Sequence, residues 1–225
     1  MVTGQAARTL GLGEPAPDFV LPAITSDGDI ALSDVRSRNP VLVGLYRGVY
    51  CAFCRRHLAR LDAVGRELSS QGIETIAIVT STVERARLYF RFHKTGLTLA
   101  SDPGMTVHGA FRLPRYQVTE GPAQWPMSIN VEQASTTRIN PWGDLPEAVP
   151  LLDAGKALDR IDGFTYEPSD GADAEASWNQ LGGLFLIDPA GLVRWRHVEG
   201  ADGLEAITSA ADPAEILAAA AAPSG

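Results

Sequence analysis

A single α/β domain, its central mixed sheet flanked by helices, is predicted by three stretches of this chain. Pro40 to Tyr46 is an unbroken apolar run without alternation, the pattern of a strand covered on both faces. From Phe53 to about Gln71, Leu58, Leu61, Val64, Gly65 and Leu68 recur at helical spacing, and Gly72 stands where such a helix ends. Ile73 to Val79 is rich in β-branched residues and reads as a second buried strand. Strand, helix and strand in that order form a right-handed βαβ unit, because parallel neighbours need a crossover.

The other elements follow in order. After a flexible start, Met1 to Gly13, the segment Glu14 to Leu21 is extended, since Pro15 and Pro17 bias their predecessors away from helix. The turn residues Ser26 to Asp29 precede Ile30-Ala31-Leu32, which predicts an N-terminal hairpin. Beyond the βαβ unit come a helix from Val83 to about Thr95, a short strand at Leu97 to Ala100 and a short helix from Met105 to Phe111. The next stretch, about 115–178, carries Pro122, Pro126, Pro141, Pro146, Pro150 and Pro168 with Trp125, Trp142 and Trp178 between them. It reads as an insertion into a core of about 15–114 and 179–222, with a helix at Leu151 to Ile161; a loop of such length is usually functional or partly disordered. Leu184 to Asp188, the turn Pro189-Ala190-Gly191 and Leu192 to His197 form a hairpin, so the insertion falls before the last two core strands. Asp212 as cap and Pro213 at the first helical position open an alanine-rich C-terminal helix.

Composition narrows the function. The 225 residues are 45% hydrophobic and 20% charged, enough for a substantial core, and the net charge of −8 with scattered Lys and Arg excludes a nucleic-acid binder. No stretch approaches membrane-spanning length and the N-terminus lacks the apolar core of a secretory signal, so the expected location is cytoplasmic. No bound organic cofactor is expected, because the Gly-rich segments lack phosphate-cradling spacing after a strand.

The only cysteines, Cys51 and Cys54, lie at the junction of the first buried strand and its helix. Residues three apart on a helix share a face, within the reach of a disulfide, and in a reducing compartment such a pair is more often redox-active or metal-binding than structural. The helix N-terminus favours a thiolate, and Arg47, Arg55 and Arg56 add positive charge nearby. Other readings compete. A zinc site needs more ligands, and His57, His93, His108 and His197 lack the spacing of a second pair. The cysteines could be buried thiols packed as small hydrophobes, the arginines a solvated helix face, and His57 a surface residue.

With strand, Cys-x-x-Cys, helix and strand in order, the chain resembles the thioredoxin superfamily. Arg47-Gly48-Val49-Tyr50-Cys51-Ala52-Phe53-Cys54, with the later Gln180-Leu181-Gly182-Gly183-Leu184-Phe185, is similar to the peroxiredoxin-like members of the alkyl hydroperoxide reductase/thiol-specific antioxidant family. The resemblance covers about 15–121 and 179–203. It implies a thioredoxin-like fold and an antioxidant oxidoreductase with Cys51 and Cys54 as the catalytic pair. The substrate would be a peroxide or a disulfide, the reductant a thioredoxin-type protein or a low-molecular-weight thiol, and a homodimer stays open. Laying the family's Pro-x-x-x-Thr-x-x-Cys segment on the chain puts Arg47 at the proline, Cys51 at the threonine and Cys54 at the peroxide-reacting cysteine. The family's late arginine falls on Gly182, with Arg194, Arg196 or Arg112 as substitutes, and the thioredoxin cis-proline falls on Gly182-Gly183. Those glycines imply either exposed backbone beside the sulfurs or a β-bulge. On this overlay Cys54 attacks and Cys51 resolves; in thiol–disulfide exchange the roles invert. A non-catalytic binding module using the insertion is the reading from another class.

Overall fold

The structure, a computed structural model, describes residues 8–209 and 211–222. Residues 1–7 of the expected flexible start lie outside them. The rest of that start is held: Leu10 is buried, Gly13 N–H donates to the Val193 carbonyl at 2.8 Å, and Arg196 donates to the Thr9 and Leu10 carbonyls.

Strands β1 (Val20–Pro22) and β2 (Asp29–Ala31) form the N-terminal hairpin, with Leu21 opposite Ile30. Leu32 does not continue the strand. It opens a short helix, α1 (Leu32–Arg36), because its side chain is fully buried and the Ser33 N–H is taken by the Asp18 carboxylate at 2.9 Å. Then follow β3 (Val41–Tyr46), α2 (Ala52–Ser70), β4 (Glu74–Val79), α3 (Val83–Phe92), β5 (Thr98–Ser101) and α4 (Thr106–Ala110). Thr82 caps α3 by accepting from the Arg85 N–H at 3.3 Å, and the helix stops short of Thr95 because His93 leaves helical geometry.

After the insertion, β10 (Gly183–Ile187) and β11 (Val193–Val198) complete a five-stranded sheet ordered β11-β10-β3-β4-β5. β3, β4 and β5 run parallel, while β10 runs antiparallel to both β3 and β11. This is the expected mixed sheet. Its alternation serves two cores. Leu42, Ala77, Val79, Leu99, Leu184 and Leu186 face α2 and the C-terminal helix Pro213–Ala221. Val43, Leu45, Ile76, Ile78, Phe185 and Ile187 face Leu10, Phe19, α1 and α4.

The insertion is folded. It contains β6 (Gln117–Thr119), β7 (Ser128–Asn130), α5 (Val131–Thr136), β8 (Arg138–Ile139), β9 (Val149–Pro150), α6 (Leu151–Asp162) and α7 (Pro168–Ser177). A third apolar cluster joins Ile129, Ile139, Ala154 and Leu158 to Ala52 at the start of α2 and to Leu181 and Ile207. α6 is the helix the sequence predicts. α7 has no such signal, since Pro168 to Ser177 has no apolar stripe; it is held at its N-terminus by Asp170, which accepts from the Glu167 N–H at 2.8 Å and takes a two-point ion pair from Arg85 of α3, both bonds 2.8 Å. Asp170 is fully buried. Removing one partner of such a pair strands a buried charge, so Asp170→Ala is expected to cost about 3–5 kcal/mol. Urea unfolding checks this, and a loss below about 1 kcal/mol, the value of an exposed pair, would show the tether to be superficial.

Candidate active site

The cysteines are placed by the turn between β3 and α2. Gly48 has no room for a side chain, since a Cβ there would lie 2.6 Å from Ser81 Oγ, which accepts from the Val49 N–H at 3.0 Å. The chain therefore turns close beneath the end of β4 and delivers Cys51, in extended geometry (φ −83°, ψ 111°), to the N-cap of α2. Cys51 Sγ accepts from the Cys54 N–H at 3.3 Å, so the sulfur performs the task a Ser or Asp oxygen performs at other helix starts. Both cysteines are free. Cys51 is 8% exposed and Cys54 1%.

A second donor reaches the same sulfur. Arg47 Nε donates to Cys51 Sγ at 3.3 Å, while Nη1 donates to Glu199 Oε2 at 3.0 Å and to the Gln180 carbonyl. Arg47 and Glu199 are 5% and 2% exposed. Burial works against ionising either sulfur. At Cys51 the hydrogen bond from Cys54 and the Arg47 guanidinium outweigh burial and bring the thiol down to about 6. Cys54, buried and facing the Cys51 sulfur, is pushed well above the ordinary thiol range, and Arg47 offsets only part of this. The pair is thus one thiolate and one thiol at neutral pH. Alkylation of Cys51 is expected to titrate with a midpoint of about 6, its rate falling as the pH drops through that value. A midpoint near the free-thiol value of about 8.5 would leave Cys51 an ordinary buried thiol.

Cys51 opens onto a cleft of about 350 Å³. The walls come chiefly from the insertion, including Tyr116, Val118, Leu151, Tyr166 and Trp178; Cys54 is not among the lining residues. Val118, Leu152, Tyr166 and Trp178 are roughly half exposed around the cleft. Ion pairs fasten the insertion to the first turns of α2: Arg55 binds Asp159 at 2.6 Å and Asp162 at 3.2 Å, and Arg56 binds Asp144 at 2.7 Å. Arg55 also donates to the Val49 and Tyr50 carbonyls, fixing the turn before Cys51. The Tyr50 hydroxyl lies 2.9 Å from Ser177 Oγ. Ser177 donates its single hydroxyl proton to the Asp173 carbonyl, so Tyr50 donates to Ser177 and ties this turn to α7.

Several residues stand differently from their sequence reading. Arg47 and Arg55 are buried and bonded, not a solvated face. His57 is buried, not at the surface: its ring stacks on Tyr46 and meets the edge of Trp142, and burial pushes it down to about 4, so it is neutral. Its Nε2 lies 3.6 Å from Glu199 Oε1 without a hydrogen-bond partner. None of the proposed substitutes for the family arginine bonds to the sulfurs. Arg194 pairs with Asp188, Arg196 binds backbone near Leu10, and Arg112 pairs with Glu14. Gly182-Gly183 is neither bulged nor open: Gly183 pairs in register with Leu45 and Val198, and a Cβ on Gly182 would lie 2.7 Å from the Leu45 carbonyl oxygen. The sheet's irregularity falls instead at Leu186/Ile187. Among the described residues no cluster of three or more His, Cys, Asp or Glu could hold a metal, and no helix is long and apolar enough to cross a membrane. Glu199, Tyr116 and Tyr166 carry no signal in the sequence, because they reach the cysteines only through the sheet order and the folding of the insertion.

A family model described as the AhpC/TSA family matches residues 12–139. No curated protein matches the chain in sequence. Among solved structures it is similar to the peroxidoxin BcpB from Mycobacterium tuberculosis, at 15% identity and a TM-score of 0.55, over 93% of this chain and 96% of that one. It is also similar to the reduced 2-Cys peroxiredoxin of Plasmodium vivax, at 14% identity and a TM-score of 0.54, over 92% of this chain and 78% of that one. A third likeness is to the mitochondrial 2-Cys peroxiredoxin of Plasmodium falciparum, at 13% identity and a TM-score of 0.54, over 92% and 90% of the two chains. At such identities these neighbours attest the thioredoxin-like fold.

Proposed function

Since the chain belongs to the AhpC/TSA family, we propose that it is a thiol-dependent oxidoreductase that reduces peroxides through a Cys51/Cys54 dithiol–disulfide cycle. One observation carries this reading: the cysteine that lines the cleft is also the one whose sulfur receives the Arg47 and Cys54 hydrogen bonds. The Cys51 thiolate attacks the terminal oxygen of a hydroperoxide, the S–O bond forms as the O–O bond breaks, and the departing oxyanion takes a proton to leave as alcohol or water. Cys54 then attacks the Cys51 sulfenic acid; the S–S bond forms, the S–O bond breaks and water leaves with the Cys54 proton. A thioredoxin-type or low-molecular-weight thiol returns the disulfide to the dithiol by exchange, in a reducing compartment such as the cytoplasm.

This assignment inverts the family overlay, which gives the attack to Cys54. Electrostatics favours Cys51, because Cys54 is shut off from the cleft and held protonated. The mostly apolar walls suit a peroxide carrying an apolar group. The same asymmetry, an acidic cysteine at the helix tip with a protonated one behind it, also serves thiol–disulfide exchange, which starts from Cys51 as well.

Alkylation and intact mass separate the readings. Both cysteines are free in the reduced chain; alkylated in denaturant, both are expected to be blocked after one equivalent of peroxide and to return with a thioredoxin-type reductant. A pair that resists peroxide but is oxidised by a small disulfide would assign the exchange reaction. A pair oxidised by neither would leave a binding module.

A further inference from the structure

We propose that Glu199 is a positioning residue that shares the Arg47 guanidinium with the Cys51 sulfur and so sets how readily that sulfur ionises, a role that rests on Cys51 being the reacting thiol. Glu199 follows β11 directly and is clamped in both directions to Gly182. Its carboxylate accepts from the Gly182 N–H at 2.8 Å, and its own N–H donates to the Gly182 carbonyl at 3.1 Å. A Cβ on Gly182 would stand 3.2 Å from the Glu199 carboxyl carbon, besides its collision with the Leu45 carbonyl. The glycine therefore makes room for the carboxylate as well as for the sheet.

Arg47 reaches its partners through different nitrogens of one rigid plane. Nε meets the sulfur at 3.3 Å and Nη1 meets Glu199 at 3.0 Å, so the guanidinium cannot turn toward one without leaving the other. A buried cation thus faces a carboxylate fixed in place and a thiol that gains and loses its charge. The carboxylate acts on the thiolate in opposite senses: it aims Nε at the sulfur, and its charge opposes a second negative charge nearby. Few other groups answer Glu199. From α2, His57 faces it at 3.6 Å and is neutral, and the Cys54 thiol is protonated. Tyr46 at the end of β3 and Tyr116 before β6 are un-ionised phenols held above their ordinary range by burial, while the charges of His197 and Arg60 act on His57.

Glu199→Gln keeps the shape and an acceptor for Arg47 but removes the charge. The test is the pH dependence of Cys51 alkylation in the reduced full chain, with the alkylated residue located by mass, alongside Glu199→Asp. The Gln variant is expected to lower the Cys51 midpoint by about one pH unit, and the Asp variant, which keeps the charge, to stay close to the unsubstituted chain. A Gln midpoint that is unchanged, or that rises toward the free-thiol value of about 8.5, would overturn the proposal, because loosening alone frees the sulfur from Arg47. Should Glu199→Gln not fold, Arg47→Lys supplies a charge without the fork. It is expected to raise the midpoint by about one unit or more, and an unmoved midpoint would likewise overturn the sharing. No peroxide enters this titration, so the role of Glu199 is tested whether or not the chain turns peroxide over.

Discussion

Cys51→Ser is expected to abolish peroxide consumption, by about a thousandfold or more, while Cys54→Ser still consumes one equivalent and stops. The asymmetry follows from position. Only Cys51 of the pair lines the cleft, and only its sulfur receives the Arg47 and Cys54 hydrogen bonds. With Cys54 replaced, attack and O–O cleavage proceed, but the sulfenic acid has no neighbouring thiol to condense with and persists. A dimedone-type reagent should therefore label Cys51 in Cys54→Ser after one equivalent of peroxide. Turnover by Cys51→Ser together with an inert Cys54→Ser would return the attack to Cys54, as the family overlay has it.

Arg47→Met is expected to have the next largest effect, on reactivity and stability together. Arg47 helps to bring Cys51 down to about 6, which leaves the sulfur mostly ionised at neutral pH. Without the guanidinium, burial works unopposed by that charge and the midpoint should rise past the free-thiol value of about 8.5, cutting the thiolate at pH 7 by about 30-fold or more. The loss also leaves Glu199 buried without its cation, at a cost of about 3–5 kcal/mol. Alkylation rates across pH distinguish ionisation from misfolding: a rate that recovers at alkaline pH marks a displaced titration. A Cys51 midpoint that stays near its original value would remove Arg47 from the mechanism.

Much of this molecule is legible in its sequence for reasons that act locally. Val41 to Tyr46 lies between two helical layers and cannot alternate, so its unbroken apolar run announces a central strand. Leu58, Leu61 and Leu68 keep the helical period because one face of α2 meets the sheet. The dithiol is legible because its members sit three apart at a helix start, where the backbone itself supplies a polarised N–H to the Cys51 sulfur. The insertion resists reading since α7 carries no apolar stripe and is held by a buried ion pair to a helix 85 positions away in sequence. His57 misleads for a related reason: a histidine one turn along from the dithiol looks solvent-facing until Trp142, brought by the insertion, covers it.

The sequence alone therefore determined the fold class, the strand-to-helix junction and the place of the cysteine pair at that junction, because each depends on residues within a turn or a strand of one another. Tertiary structure alone decided how Arg47 is held against the Cys51 sulfur and what that sulfur faces. The Arg47 guanidinium is anchored by Glu199, 152 positions away, and the cleft walls are contributed by the insertion. The charge of a buried thiol is set by the few groups within hydrogen-bonding reach of it, and no local pattern announces which distant groups the sheet order will bring there.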